Sequence, residues 1–365
     1  MEAPVRAPVL SLVLEASLPD QSLNGDGTFA PPRRAPFDPK RETITYAGPL
    51  AFRRKNVPCL APDAAAVLLP MGKTWRVLPL RGRTGPPHAF VAWEGGALLI
   101  DSQLQPCGWA TSSPVEQLIQ PTGTVFTQIS ASGAFSHPTL GLDRDFMAWG
   151  GSSAGDRLAL VGTYGVRATD AGPPAFGSHD IVVMRRQGAG PFKASLIVKA
   201  DGPASQSRRA GVREFGAAAL LWPPPARDDG TPVVGAPAEG GDELAWKGHA
   251  SSIFRIADDA TTEFRFRSPS EQDCAARDAA LVGVQVYAVV ACSDGATHVV
   301  RADPDGQPDR VELPSTPALG ACVPSQLAPA GPHELWVLAA CAPAGKPEVR
   351  ALFRSGPAPS ALPAP

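Results

Sequence analysis

Along most of the chain, apolar residues gather in short runs separated by Gly, Pro, Asp and Asn. Runs at residues 74–80, 89–93, 97–100, 155–162, 179–185, 193–198, 215–222, 252–256, 263–266, 284–292, 297–302 and 348–353 are rich in Val, Ile, Leu, Phe, Trp and Thr. Such runs, bounded by turn residues, predict strands. No apolar stripe at helical spacing is sustained, and Pro 41 with Gly 36 punctuate the chain too densely for long helices. An all-β fold with little helix is expected. In Glu334-Leu-Trp-Val-Leu-Ala-Ala-Cys341 both alternating sets are mostly apolar, the mark of a strand covered on both faces.

The pattern repeats. Cys274 and Cys322 are 48 apart, Cys292 and Cys341 are 49 apart, and so are Tyr287 and Trp336. Val299-Val-Arg301 and Glu348-Val-Arg350 also stand 49 apart. The unit reads as strand, loop, strand, tight turn, strand, with turn chemistry at residues 293–296 and 342–345. Weaker copies lie upstream, with longer loops at residues 169–178, 201–212 and 223–241.

A period near 48 residues with three or four strands resembles the blades of bacterial β-propellers. The resemblance implies a single propeller domain over residues 45–355, of six or seven blades, closed by strand exchange between the chain ends. None of the WD, kelch or YVTN signatures is present. Met71-Gly-Lys-Thr-Trp75 is similar to the second half of the Asp-box of sialidase-type propellers, but Pro70 and Leu68 stand where that motif has Asp and Ser. Residues 1–44 are expected to hold one N-terminal strand and a polar, Pro-rich arm. Residues 356–365 are expected to be a disordered Pro/Ala tail.

Lys+Arg 33 against Asp+Glu 35 gives a net charge of −2, which offers no basic footprint for nucleic acid. Arg outnumbers Lys 26 to 7, a coding bias of GC-rich bacteria more than a sign of phosphate binding. No apolar stretch is long enough for a transmembrane helix, and residues 9–14 are too short for a secretory signal.

The six cysteines complicate the compartment. Cys59, Cys107, Cys274, Cys292, Cys322 and Cys341 include no CxxC, so zinc and thioredoxin-type sites are disfavoured. Cys274–Cys292 and Cys322–Cys341 each flank one strand-like run and are expected to form disulfides within a blade. Cys59 and Cys107 are also 48 apart, and are candidates for a bridge between neighbouring blades or for no bridge at all. Disulfides imply export to the periplasm, cell surface or medium; six free thiols would instead fit the cytoplasm.

Candidate chemistry is sparse. Asp303, Asp305 and Asp309 surround Gly306 at a spacing that could hold Ca²⁺, although a hairpin turn explains them as well. No other cofactor is expected. Trp109, Trp149 and Trp246 are candidates for stacking on a sugar, or for packing between blades. The carboxylates cluster at Asp143, Asp145, Asp228, Asp229, Glu239, Asp242 and Glu243, where a propeller hydrolase could place an acid–base pair. Gly150-Gly-Ser-Ser-Ala-Gly155 lacks the spacing of a GxSxG nucleophile elbow, and no histidine pair has metal spacing. The expected role is therefore a non-catalytic binding or scaffold propeller, acting as a monomer on a protein or carbohydrate ligand. A carbohydrate-active hydrolase with axial carboxylates is the alternative.

Overall fold

The computed structural model describes residues 10–16, 42–55, 65–72, 74–80, 89–102, 124–142, 146–164, 181–199, 210–222, 245–247, 252–265, 274–292, 295–302, 309–314 and 318–355. Among them there is no helix, and the strands form six sheets, the architecture of a six-bladed β-propeller.

Strand β1 (Leu10–Ala16) stands apart in sequence from its sheet. Blade 1 is β2 (Glu42–Ala47), β3 (Leu50–Lys55), β4 (Ala65–Met71) and β5 (Thr74–Pro79). Blade 2 is β6 (Ala89–Trp93), β7 (Gly96–Ser102), β8 (Thr124–Ile129) and β9 (Phe135–Ser136). Blade 3 is β10 (Phe146–Ala154), β11 (Arg157–Tyr164), β12 (Ile181–Gln187) and β13 (Lys193–Lys199). Blade 4 is β14 (Gly211–Glu214), β15 (Ala218–Trp222), β17 (Ser252–Ala257) and β18 (Thr261–Arg265); between its second and third strands the chain forms β16 (Ala245–Lys247), which joins the outer edge of blade 3. Blade 5 is β19 (Cys274–Val282), β20 (Gln285–Cys292), β21 (Thr297–Ala302) and β22 (Asp309–Val311). Blade 6 is β23 (Ala321–Gly331), β24 (Glu334–Ala342) and β25 (Val349–Ser355), and β1 completes it.

The described strands fall into two compact units. One holds β2 to β16; the other holds β1 and β18 to β25; β17 divides between them after Arg255. In the second unit, β1 pairs antiparallel with β25 from Leu10↔Ser355 to Ala16↔Arg350. The expected exchange between chain ends is thus present, and it covers an edge that would otherwise expose unpaired backbone groups.

The repeat seen in the sequence is a repeat of register. Cys274 pairs with Cys292, and Cys322 with Cys341. Three residues after each first cysteine the strand bulges, at Arg277 and at Ser325. Blade 3 has the same irregularity at Trp149, three residues after Phe146, which pairs with Tyr164. Blade 3 therefore places Phe146 at the register position that the first cysteine holds in blades 5 and 6. Pro324 and Pro329 lie inside β23 but border its two register shifts, where a missing N–H costs least.

One landmark of the repeat is corrected. Tyr287 pairs with Arg301, but Trp336 pairs with Arg354 and not Arg350. The connection after β24, residues 343–348, is longer than that after β20, residues 293–296, and this moves the third strand along.

Where blades lie against one another the core is continuous. Ala47, Leu50, Phe52, Val67 and Leu69 of blade 1 pack on Phe90, Ala97, Leu99 and Ile129 of blade 2. The opposite face of blade 2, with Val91, Trp93, Leu98, Ile100 and Phe126, packs on Phe146, Ala148, Leu158, Leu160, Val182 and Met184 of blade 3. Small residues are required where strands approach closely. Gly211 pairs with Trp222, and a Cβ at Gly211 would meet Trp222 Cε2 at 2.0 Å. Gly211→Ala is expected to push the indole off the strand and cost about 1–3 kcal/mol, read by urea unfolding; an unchanged midpoint would show that Trp222 is free to move.

Candidate functional site

Strand alternation places a charged residue where the core pattern calls for an apolar one. In β14, Val212 and Glu214 share the buried face, and Glu214 is 2% exposed. Its partner is Arg185 of β12, 7% exposed. Arg185 donates from Nε to Glu214 Oε2 at 2.9 Å and from Nη2 to Oε1 at 3.0 Å, a bidentate pair joining blade 3 to blade 4. Arg185 Nη1 donates to Ile256 O at 3.2 Å and to Asp258 Oδ1 at 3.1 Å. Glu214 Oε1 also accepts from Gly216 N at 3.1 Å, and Glu214 N donates to Ser152 Oγ at 3.1 Å.

The network reaches solvent at Asp258, on the turn between β17 and β18. Arg157 donates to both of its carboxylate oxygens at 2.8 Å, and to Gln187 Oε1 at 3.1 Å. Two guanidinium groups and two carboxylates therefore balance, with the buried members held by several hydrogen bonds each. The hydrogen bond from Arg157 holds the Asp258 carboxyl below its ordinary value against the opposing effect of burial, and Asp258 raises Arg157 in turn. A lowered carboxyl stabilises the fold above its unfolded value near pH 4 and loses that contribution as pH falls through the folded one. The stability gap between the native protein and Asp258→Asn should be flat from about pH 5 to 8 and shrink below about pH 4, as followed by thermal melting. A gap that grew on acidification would contradict the pairing.

Arg185 is one of a set. Arg185 pairs in register with Ala159, Arg301 with Tyr287, and Arg354 with Trp336, the same position in blades 3, 5 and 6. Arg354 lies over the Trp336 ring at 5.1 Å and pairs with Glu334 through its Nε at 3.1 Å. Tyr287 is 4% exposed, as expected of core. Trp336 is only half-buried: it packs on Ala328, Leu338 and Leu352, and Arg354 lies over its ring.

The cysteine expectations are met where they are described. Cys274–Cys292 and Cys322–Cys341 are disulfides, each with Cα atoms 4.0 Å apart. Cys59 and Cys107 lie outside the described residues, as do Trp109, Asp303 and Asp305 and the carboxylates at 143, 145, 228, 229, 239, 242 and 243. The backbone of Asp309 pairs with Arg301, and that of Trp246 with Val198; their side chains are not among those described. Trp149 is 7% exposed in the bulge of β10, which leaves little of its face for a sugar. Met71-Gly-Lys-Thr-Trp75 spans the hairpin from β4 to β5, with Gly72 at φ 59° and Thr74 Oγ1 donating to Met71 O at 3.1 Å. The Gly-Gly-Ser-Ser segment of β10 is used for close packing: Ser153 Oγ donates to Ala92 O, and Ser152 Oγ accepts from β14. Among the described residues no group of three His, Cys, Asp or Glu is placed to hold a metal ion, and no helix is long and apolar enough to cross a membrane.

The blades have unequal ends. In every blade the first and second strands are joined by a tight turn, at residues 48–49, 94–95, 155–156, 215–217, 283–284 and 332–333. At the other end, the second and third strands of blades 2, 3 and 4 are joined by residues 103–123, 165–180 and 223–251. The charged network was not legible in sequence, because its members come from four separate strands or turns; the one available signal was an Arg in the third strand of successive blades.

No family model matches the chain, and no curated protein matches it. Several solved structures are similar to it. A Trypanosoma rangeli sialidase in complex with sialic acid is 11% identical, with 96% of this chain and 59% of that chain covered and a TM-score of 0.39. A protein of unknown function from Dyadobacter fermentans is 12% identical, with 86% and 98% covered and a TM-score of 0.41. The WD40 β-propeller domain of Doa1 is 7% identical, with 94% and 96% covered and a TM-score of 0.30. The chain thus spans 59% of the length of the sialidase. At these identities the likeness is one of strand arrangement alone.

Proposed function

We propose that the chain is a non-catalytic binding module of an exported bacterial protein, and that it recognises its ligand through the long connections of blades 2, 3 and 4. The observation that carries this is the asymmetry of the blades: the connections 103–123, 165–180 and 223–251 all leave the same end of their blades, opposite tight turns. A propeller needs only a few residues there, and long surface insertions on a rigid scaffold are where recognition is usually built. In this reading the ionic network of Arg157, Arg185, Glu214 and Asp258 is part of the scaffold, since these groups pair with one another. Export is supported by the two disulfides, which persist in oxidising compartments. A bacterial source is supported by the 26 Arg to 7 Lys.

The reading is tested by replacing residues 103–123 and 165–180 with short Gly/Ser linkers and assaying the native and shortened proteins against glycan arrays and fluorogenic glycosides. Native protein that turns over no glycoside, and that melts with the shortened form within a few degrees, agrees with a scaffold and separable loops. Glycoside turnover abolished by Asp143→Asn or Asp145→Asn would overturn it in favour of a hydrolase.

A further inference from the structure

The outer edge of blade 3 is already used to hold a strand. Blade 3 is complete with β10 to β13, and blade 4 with β14, β15, β17 and β18, yet the chain between β15 and β17 returns to blade 3 and lays β16 along β13. The three pairs are Ile197↔Ala245, Val198↔Trp246 and Lys199↔Lys247. This pairing is parallel, whereas β10, β11, β12 and β13 pair antiparallel. Among the described residues the ladder covers Ile197, Val198 and Lys199 of the seven residues of β13. Parallel pairs are the weaker kind, and β16 competes for the edge as a segment of the same chain.

We propose that the outer edge of β13 is a docking site for an extended segment of a protein partner, and that β16 is the chain's own strand occupying that edge in the free protein. The partner's segment runs parallel to β13, displaces β16 and pairs over the whole strand, the strand-addition mode of peptide recognition. Its preferred chemistry follows from charge. β13 begins at exposed Lys193 and ends at Lys199, and in sequence the chain's own occupant is preceded by Asp242-Glu243. An apolar core with acidic residues on its N-terminal side is the segment that fits. The proposal rests on the binding reading above and names its partner.

The test uses the full chain and a labelled peptide of residues 240–249, Gly-Gly-Asp-Glu-Leu-Ala-Trp-Lys-Gly-His. A245P/K247P places two prolines in β16, which disfavours its pairing in a ladder; a second variant replaces residues 225–249 with a Gly/Ser linker of equal length, should the prolines disturb folding. The peptide is expected to bind either variant at least about tenfold more tightly than the native chain, where β16 competes from its tether. Changing Asp242 and Glu243 of the peptide to Lys should weaken binding, and hydrogen exchange should slow at β13. Equal affinity for native chain and variants, no binding to either variant, or protection elsewhere than β13 would overturn the proposal. Crosslinking through residues 103–123 would then still report on the binding reading by itself.

Discussion

Arg185→Ala should destabilise the protein by about 3–5 kcal/mol, the cost of leaving a buried carboxylate without its counter-charge. Glu214 is 2% exposed and takes two of its hydrogen bonds from Arg185, so water cannot replace them without opening the seam between β12 and β14. Glu214→Ala should cost a similar amount for the converse reason. The informative variant is the double replacement Arg185→Met with Glu214→Leu. It removes both charges and keeps apolar volume, so it should recover most of the loss, because the desolvation cost of the pair offsets much of its attraction. Urea unfolding of the four proteins gives the coupling directly. Single variants that lose less than about 1 kcal/mol would mean that the pair is solvated and does not join the blades.

Removing the two disulfides is the second large effect. Each closes a hairpin, with separations of 18 and 19 residues, and the chain-entropy estimate gives about 3 kcal/mol apiece. Cys274→Ala/Cys292→Ala and Cys322→Ala/Cys341→Ala should each lower the melting temperature. The quadruple variant should lose more than either pair alone, since each disulfide closes a separate hairpin. Cys274 is 3% exposed and Cys341 is fully buried, so reductant should act on the native protein only slowly and on the unfolded chain readily. A quadruple variant as stable as the parent would contradict a structural role and remove the main support for an oxidising location.

Much of the architecture was legible in the residues because a propeller repeats its register. Cys274, Tyr287 and Cys292 recur as Cys322, Trp336 and Cys341, and those positions coincide in the paired strands. The fourth landmark misled because sequence spacing runs through turns, and the turn after β24 is longer than its counterpart. The apolar pattern starts a strand at Val284, but that residue lies in the turn before β20, 75% exposed, since Gly283 at φ 61° makes the hairpin two residues long. The composition of residues 201–212 predicts a loop, yet β14 begins at Gly211; a four-residue strand carrying Gly, Arg and Glu has no apolar run to announce it. The ionic network stayed hidden for the same reason. Arg157, Arg185, Glu214 and Asp258 share no motif, and only the alternation of β14 against its neighbours turns Glu214 inward.

Recognition through the long connections is tested most directly by site-specific photo-crosslinking in cells of the source organism. A photoreactive phenylalanine analogue placed at Trp109, within the 103–123 connection, is compared with the same residue at exposed Val284 in the tight turn of blade 5 and at exposed Met71, which ends β4 beside the short β4–β5 turn of blade 1. Binding through the connections predicts a discrete adduct from position 109 and none from 284 or 71. Adducts from the tight turns with none from position 109 would place recognition at the other end of the blades and contradict the proposed function.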